Sequence, residues 1–335
     1  MTRPGVSILM SVRNEERYLE AALISLRRQT YEEWELIAVD DGSDDGTAEI
    51  LKRHAGEDKR IKPFIRQPAG LVNALVFGTD RCQADVIARM DGDDICHPKR
   101  LAKQANFLHE NQDISLVATK IRYFPTHVVQ GGMRHYEQWQ NSLTSHQLMM
   151  RDLFVESPVT QPSVMYRKNA VDQVGGYQDN SWGEDYDLWL RMALAGYRFA
   201  RIPETLFFWR EHKIRLTHLA DEFSLDSFRR CKVHYLRESY LKGHDTVTLW
   251  GTGQEGKAWR KVLKAAGIRV VHWIDIDPNK IGQTIHQAAV TNPDSLRPGC
   301  GPMLITIGAR GARPLVRKKC AEMGLTEGTD FVCVT

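Results

Sequence analysis

Apolar runs of strand length alternate with stretches of helical periodicity along the first part of the chain. Residues 6–12 (VSILMSV) and 34–39 (WELIAV) read as two buried strands. Between them Leu19, Ala22, Leu23 and Leu26 recur at the spacing of one helix face, which predicts a helix ending near Gln29. The alternation goes on with a helix carrying Ile50 and Leu51, a strand at 61–65 and a helix opening at Gly70. A strand at 84–90 stops at Asp91, a helix begins at Pro98 and continues through 104–111, and strands follow at 114–123 and 158–167. Buried strands alternating with helices imply a mostly parallel sheet covered on both faces. In such sheets ligands bind beyond the carboxyl ends of the strands. The unusual polar clusters, 11–15, 40–43 and 91–94, all lie at such ends.

The last cluster carries the most chemistry. Asp91, Asp93 and Asp94 place three carboxylates within four residues. A strand interior would not tolerate that charge unpaired. At a strand end the carboxylates can share Mg²⁺ or Mn²⁺ with the phosphate oxygens of a substrate. Gly92 lets the backbone turn so that Asp91 and Asp93 point to one side. Taken alone, an acidic turn capping the next helix accounts for the pattern equally well.

Composition narrows the class. The 335 residues suggest two domains, and a net charge of +3 from 45 basic and 42 acidic residues gives no argument for nucleic acid. Six scattered cysteines without a Cys-x-x-Cys pair fit a cytoplasmic protein with free thiols. No apolar run approaches the ~20 residues of a membrane span.

Residues from about 5 to 215 resemble a family 2 glycosyltransferase with the GT-A fold. The resemblance rests on 6–14, Val39-Asp40-Asp41-Gly42-Ser43 with Gly46-Thr47, Gly70-Leu71-x-Asn73-Ala74-Leu75, and Ala88-Arg89-Met90-Asp91-Gly92-Asp93-Asp94. Gly175-Gly176-Tyr177 and Glu184-Asp185-Tyr186-Asp187-Leu188-Trp189-Leu190-Arg191 complete it. It implies a metal-dependent transfer of a sugar from a UDP-sugar to a hydroxyl, with inversion at the anomeric carbon. It places Ser11, Arg13, Glu15, Asp41, Gly70, Asn73, Arg89, Asp91, Gly92 and Arg215 on the donor nucleotide, with Asp41 matching the aspartate that binds uracil. Asp91, Asp93 and His212 become the ligands of Mn²⁺ or Mg²⁺, and Asp185, beside Glu184, the general base. One departure is Ser11-Val12-Arg13-Asn14, where many members carry Pro-x-Tyr-Asn; it loosens the nucleobase preference and puts Arg13 within reach of a phosphate.

The chemistry agrees with that assignment. Cleaving an anomeric carbon from a diphosphate puts charge on the leaving oxygens, which a cation stabilises. The attacking hydroxyl must lose a proton to a base on the other face. Without the family, Glu184 and Asp185 also suit a helix N-terminus.

Further along, Tyr136 and Trp139 in the polar, aromatic segment 124–157 are candidate acceptor contacts, although a helical hairpin with Trp139 and Leu143 in the core explains them as well. Trp182, just before Gly183, and Trp209 are candidate acceptor contacts too. The segment 206–217 is a candidate lid over bound donor. A basic helix over 221–241 reads either as a solvated connector or as a contact with an anionic membrane face or a lipid-diphosphate acceptor.

A second, smaller domain opens after Gly243. A strand at 247–250, Gly251-x-Gly253-x-x-Gly256, a helix over 257–266, a strand at 270–274 and Asp275 follow the order of a Rossmann-like nucleotide turn. Strand 303–308, helix 312–323 and strand 330–334 complete it. The turn reads as a nucleotide site or as a fold kept for docking or homo-oligomerisation; no Tyr-x-x-x-Lys pair supports an oxidoreductase.

The expectation is therefore an α/β chain with a GT-A catalytic domain over 1–218, a connecting helix over 219–243 and a Rossmann-like domain over 244–335. The expected partners are a nucleotide-sugar and a saccharide or lipid-linked acceptor in polysaccharide or glycoconjugate synthesis. The protein is expected in the cytoplasm, with the inner membrane face as one point of contact. The competing readings are a degenerate nucleotide-sugar-binding module and a nucleotidyltransferase. The intact aspartates oppose the first, and the glycine-free turn at 11–16 opposes the second.

Overall fold

Four parallel strands, β1 (Val6–Val12), β2 (Trp34–Asp40), β3 (Ile61–Ile65) and β4 (Val86–Arg89), stand in the order β3-β2-β1-β4. Every residue of β2 is buried, and so is all of β1 but Ser11, because both faces of the sheet are covered. The crossovers are α1 (Leu19–Arg27), α2 (Thr47–Glu57) and α3 (Leu71–Thr79). The 19/22/23/26 stripe packs with Ile8, Met10, Leu36 and Ala38 into one core.

Beyond β4 the sheet turns mixed. β5 (Ile95–Cys96) is only two residues long; α4 (Arg100–Glu110) and β6 (Ile114–Phe124) follow. Next come α5 (Gly131–Ser142), α6 (His146–Arg151), β7 (Met165–Arg167) and α7 (Lys168–Gln173). α8 (Glu184–Leu194) leads into the long β8 (Arg198–Arg210). The order continues β4-β7-β6-β8-β5, with β6 and β8 parallel and the β4–β7, β7–β6 and β8–β5 pairs antiparallel.

A second sheet is built after α9 (Leu225–Glu238). β9 (Thr246–Trp250), α10 (Gln254–Ala265), β10 (Arg269–Ile274), β11 (Thr284–Ile285), β12 (Ala288–Thr291), β13 (Met303–Ile305), α11 (Ala312–Glu322) and β14 (Phe331–Cys333) give the order β11-β12-β10-β9-β13-β14. It is parallel except at β11.

The computed structural model describes residues 3–213, 215 and 220–335. Ile214, Leu216 and Thr217 of the expected lid segment lie outside the described residues, as does the expected border at 218. The chain divides into two units: Met1–Met149, Pro158–Asn180 and Glu184–Leu219 form one; Met150–Ser157, Ser181–Gly183 and Ala220–Thr335 form the other. All six cysteines are free. No described helix is long and apolar enough to cross a membrane.

Some elements differ from expectation. Only the end of 158–167 is strand, since Pro162 lacks an N–H and the chain instead makes a 3₁₀ turn, Gln161–Ser163, closed by the Ser163 hydroxyl on the Thr160 carbonyl at 2.7 Å. The 221–241 helix breaks after a 3₁₀ turn at Asp221–Phe223, because the Ser224 hydroxyl caps a new helix by accepting from Ser227 N at 3.2 Å.

Candidate active site

The site is assembled at the carboxyl ends of β1, β2 and β4. After β1 the chain turns through Asn14 in the left-handed region, where its backbone N–H reaches the Ser43 hydroxyl and its side-chain oxygen accepts from Asp44 N. Glu15 N donates to the Thr47 hydroxyl at 2.8 Å. The β1 and β2 loops are thus tied together. Arg13 is exposed and Ser11 half-buried at this edge.

Asp41, nearly buried, spends both oxygens on backbone: Ala69 N and Gly70 N each donate at 2.8 Å. Gly70 takes φ +90°, which an L side chain rarely adopts, and Asn73 Nδ2 donates to the Ala69 carbonyl. Asp41, Gly70 and Asn73 therefore form one locked loop.

At the end of β4 one oxygen from each of Asp91, Asp93 and Asp94 lies within 4.8 Å of the others. Gly92 is required for this approach: a Cβ there would stand 2.6 Å from Val12 Cγ1 and 3.3 Å from Glu15 Cγ. Arg89, buried inside the sheet, donates to Asp91 Oδ1 at 2.9 Å and to the Leu9 carbonyl. His212 Nε2 pairs with Asp93 Oδ2 at 2.8 Å. Arg210 donates its backbone N–H to Asp94 Oδ1 at 2.6 Å and its Nε to the Asp93 carbonyl at 2.5 Å. Arg215 lies over the Trp209 ring at 4.3 Å and donates to Glu211 at 3.4 Å. The pairing of β5 with β8 brings Arg210 and His212 to the acidic turn, since Ile95 faces Phe208 and Cys96 faces Phe207.

Charge crowding is severe. Burial, then Asp93 and Asp91, hold the Asp94 carboxyl well above the ordinary aspartate range, and its Oδ2 is buried without a hydrogen-bond partner. Asp91 is raised by burial and by Asp93 against the pull of Arg89. Glu15 is pushed up to about 8 by burial and then by Asp93 and Asp91. Clustered oxygens, an orphaned carboxylate oxygen and excess negative charge are what an oxygen-seeking divalent cation satisfies, so these residues fit Mg²⁺ or Mn²⁺.

Glu184 and Asp185 open α8. Glu184 is buried, and burial followed by Asp185 pushes its carboxyl up to about 8. Asp185 Oδ1 accepts from Tyr186 N at 2.6 Å. Gln161 Nε2 donates to Glu184 Oε1 at 3.1 Å, and Gln161 Oε1 accepts from Arg89 at 3.2 Å. The acidic turn and the Glu184–Asp185 pair thus belong to one hydrogen-bonded structure.

Of the aromatic candidates, Trp209 stacks on Tyr123 at 4.8 Å, with Tyr136 6.1 Å away and itself 5.7 Å from Trp139. Trp182 belongs to the second unit, where its ring lies 5.4 Å from that of His234. In that unit Gly251 has φ +118°, and a Cβ on Gly256 would stand 1.8 Å from the Gly251 carbonyl oxygen, while Gly253 has open space around it. Asp275 Oδ2 accepts from Thr252 N at 3.1 Å and from Lys280 Nζ at 3.3 Å, besides the Thr252 hydroxyl. This acid is therefore spent on the glycine turn itself.

Sequence reasoning passed over Arg210 and Gln161 as site residues, and it counted Asp94 among the clustered carboxylates without naming it as a ligand. Asp94 was in plain view in the acidic run. Arg210 and Gln161 act through tertiary contacts that no local pattern announces.

A family model described as "Glycosyl transferase family 2" matches residues 7–175. The chain belongs to that family. Among curated relatives of this family 2 glycosyltransferase, the amylovoran biosynthesis glycosyltransferase AmsE of Erwinia amylovora is 33% identical over 206 residues, covering 60% of this chain and 74% of AmsE. An Escherichia coli protein named UDP-Gal:alpha-D-GlcNAc-diphosphoundecaprenol beta-1,3-galactosyltransferase is 25% identical over 273 residues, covering 78% and 97% of the two chains. The crystal structure of S. aureus TarS 1–349 in complex with UDP-GlcNAc superposes with a TM-score of 0.56 at 16% identity, covering 77% of this chain and 71% of that one. The first unit thus has the GT-A-like fold, and the second is a smaller sheet domain.

Proposed function

We propose that this family 2 member is a divalent-cation-dependent, inverting glycosyltransferase that moves a sugar from UDP to a hydroxyl of a saccharide or lipid-linked acceptor. The observation that carries this reading is the cluster of Asp91, Asp93 and Asp94 oxygens at the end of β4. Asp93, with Asp91 and Asp94 beside it and His212 against it, would hold Mn²⁺ or Mg²⁺. When bound, that ion supplies positive charge to the diphosphate oxygens as the sugar leaves. A relative named for UDP-Gal transfer to a lipid diphosphate, and a fold neighbour in complex with UDP-GlcNAc, support a UDP-sugar donor and such an acceptor.

The chain's own groups do the rest. Asp41 fixes the 69–70 backbone at the donor's edge, with Ser11 and Arg13 beside it. Arg215 adds a forked cation for phosphate. Asp185 takes the proton of the attacking hydroxyl, and one base with a single displacement gives inversion. Glu184, kept protonated by burial, adds no second negative charge beside it.

Calorimetric titration of UDP with and without Mn²⁺, on the parent and on Asp93→Ala, tests the reading. Mn²⁺-dependent UDP binding that Asp93→Ala abolishes is the expected result, followed by UDP release from a panel of UDP-sugars. UDP binding that ignores both the metal and the substitution, or no UDP binding, would sink it.

A further inference from the structure

We propose that Gln161 is a positioning residue that locks the Glu184–Asp185 pair to the Asp91 side of the acidic turn. The inference rests on the reading of Asp185 as base and Asp91 as a donor-side residue.

Three hydrogen bonds run in line. Arg89 Nη2 donates to Asp91 Oδ1 at 2.9 Å and to Gln161 Oε1 at 3.2 Å, and Gln161 Nε2 donates to Glu184 Oε1 at 3.1 Å. The order is chemically fixed. A guanidinium only donates, so the amide must offer it oxygen and turn its NH₂ to the carboxyl. Arg89, Gln161 and Glu184 are each under 8% exposed, so water cannot easily replace a lost partner.

Both anchors of the line are rigid. Arg89 is also held by the carbonyls of Leu9 and Met90 inside the sheet. The turn carrying Gln161 is pinned from three sides. Ser163 N donates to the Thr160 carbonyl at 2.9 Å, the Thr160 hydroxyl to Gln140 Oε1 at 2.8 Å, and Gln104 Nε2 to the Ser163 carbonyl at 3.0 Å. At its far end Gln161 holds Glu184, the first residue of α8, where N–H groups lack intrahelical partners and side-chain contacts fix the turn. Asp185 rides on that turn. Misplacing a proton-transfer group by about 1 Å can cost on the order of 100-fold in rate, so the span of one glutamine side chain sets where the base stands.

The test uses the full chain carrying Gln161→Asn, which stays polar but is one methylene too short to bridge, and Gln161→Leu, which removes both bonds. Hydrogen exchange at 184–188 is expected to rise about tenfold in both, with exchange in β1 and β4 unchanged. The Kd for UDP with Mn²⁺ should stay within about threefold, while kcat for UDP release, from whichever of UDP-Gal or UDP-GlcNAc the parent turns over, falls about 10- to 100-fold at nearly constant KM. A Gln161→Asn/Glu184→Ala double variant should lose little more than its worse single variant, since both substitutions remove one contact. Exchange and turnover within twofold of the parent in both variants would overturn the proposal, as would UDP–Mn²⁺ binding lost in step with turnover, which marks a general structural role. Asp185→Asn is run alongside: full turnover there removes the reading of the base, whereas the exchange result judges Gln161 by itself.

Discussion

His212 Nε2 stands 2.8 Å from Asp93 Oδ2, although 119 positions separate the two residues. The contact exists because two residues of β5, immediately after the acidic turn, pair antiparallel with the end of β8. The histidine therefore arrives at the carboxylates two residues beyond the end of a paired strand. Whether it ligates the cation or orients Asp93, its removal is expected to weaken Mn²⁺-dependent UDP binding. His212→Ala should raise the Kd for UDP in the presence of Mn²⁺ by about 10- to 100-fold. Titration calorimetry checks this, and an unchanged Kd would remove the histidine from the site.

Asp185→Asn keeps the shape of the first turn of α8 but not a proton acceptor. We expect kcat to fall by about 10²–10⁴-fold with UDP–Mn²⁺ affinity within about threefold of the parent. A variant that loses donor binding and turnover together would place Asp185 on the donor side.

Glu184 makes stability depend on pH. Folded, it keeps its proton up to about pH 8; its ordinary value is near 4.5. Between these values the unfolded chain has released a proton that the folded chain retains, so the folded state loses stability as pH rises. The contribution is full below pH 4.5 and gone above about pH 8. Glu15, also raised to about 8, acts with the same sign. Glu184→Gln keeps an acceptor for Gln161 and removes one titration. In metal-free buffer it should melt higher than the parent above pH 7, with a flatter profile from pH 5 to 8. A melting curve parallel to the parent's across that range would contradict the burial described for this carboxyl.

Gly92→Ala tests the contact between the acidic turn and β1. The added Cβ would press 2.6 Å from Val12 Cγ1, and such overpacking costs about 1–3 kcal/mol. Gly56, inside α2 with nothing within 4 Å of an added Cβ, is the control. Gly56→Ala should stabilise by about 0.5–1 kcal/mol. Equal melting temperatures for the two variants would mean that the turn is looser than its geometry.

The parallel half of the first sheet was legible because its strands are apolar on both faces and its crossovers carry clean helical stripes. Asp91, Asp93, His212 and the Glu184–Asp185 pair could be named from motif and order alone. The antiparallel half was harder. β5 has two residues, β7 has three, and the long β8 is absent from the predicted strands, its end falling in the candidate lid segment 206–217. Short strands carry too few alternations to register, and what recruits them is the partner strand rather than their own pattern. Gln161 is the same problem at the level of one side chain. Its two partners, 72 positions upstream and 23 downstream, meet only in three dimensions.

The two-residue β5 also bears on where this protein can be cut. A fragment ending at residue 175, where the family match stops, would retain β1 to β4 and the acidic turn. It would lack β8, leaving β5 without its partner and β6 with an open hydrogen-bonding edge of eleven residues. Bare edges of that length invite pairing between chains. The recurring family segment is thus shorter than the sheet it belongs to: a fragment that keeps the first sheet whole has to include β8, and truncations ending before Arg210 are expected to aggregate.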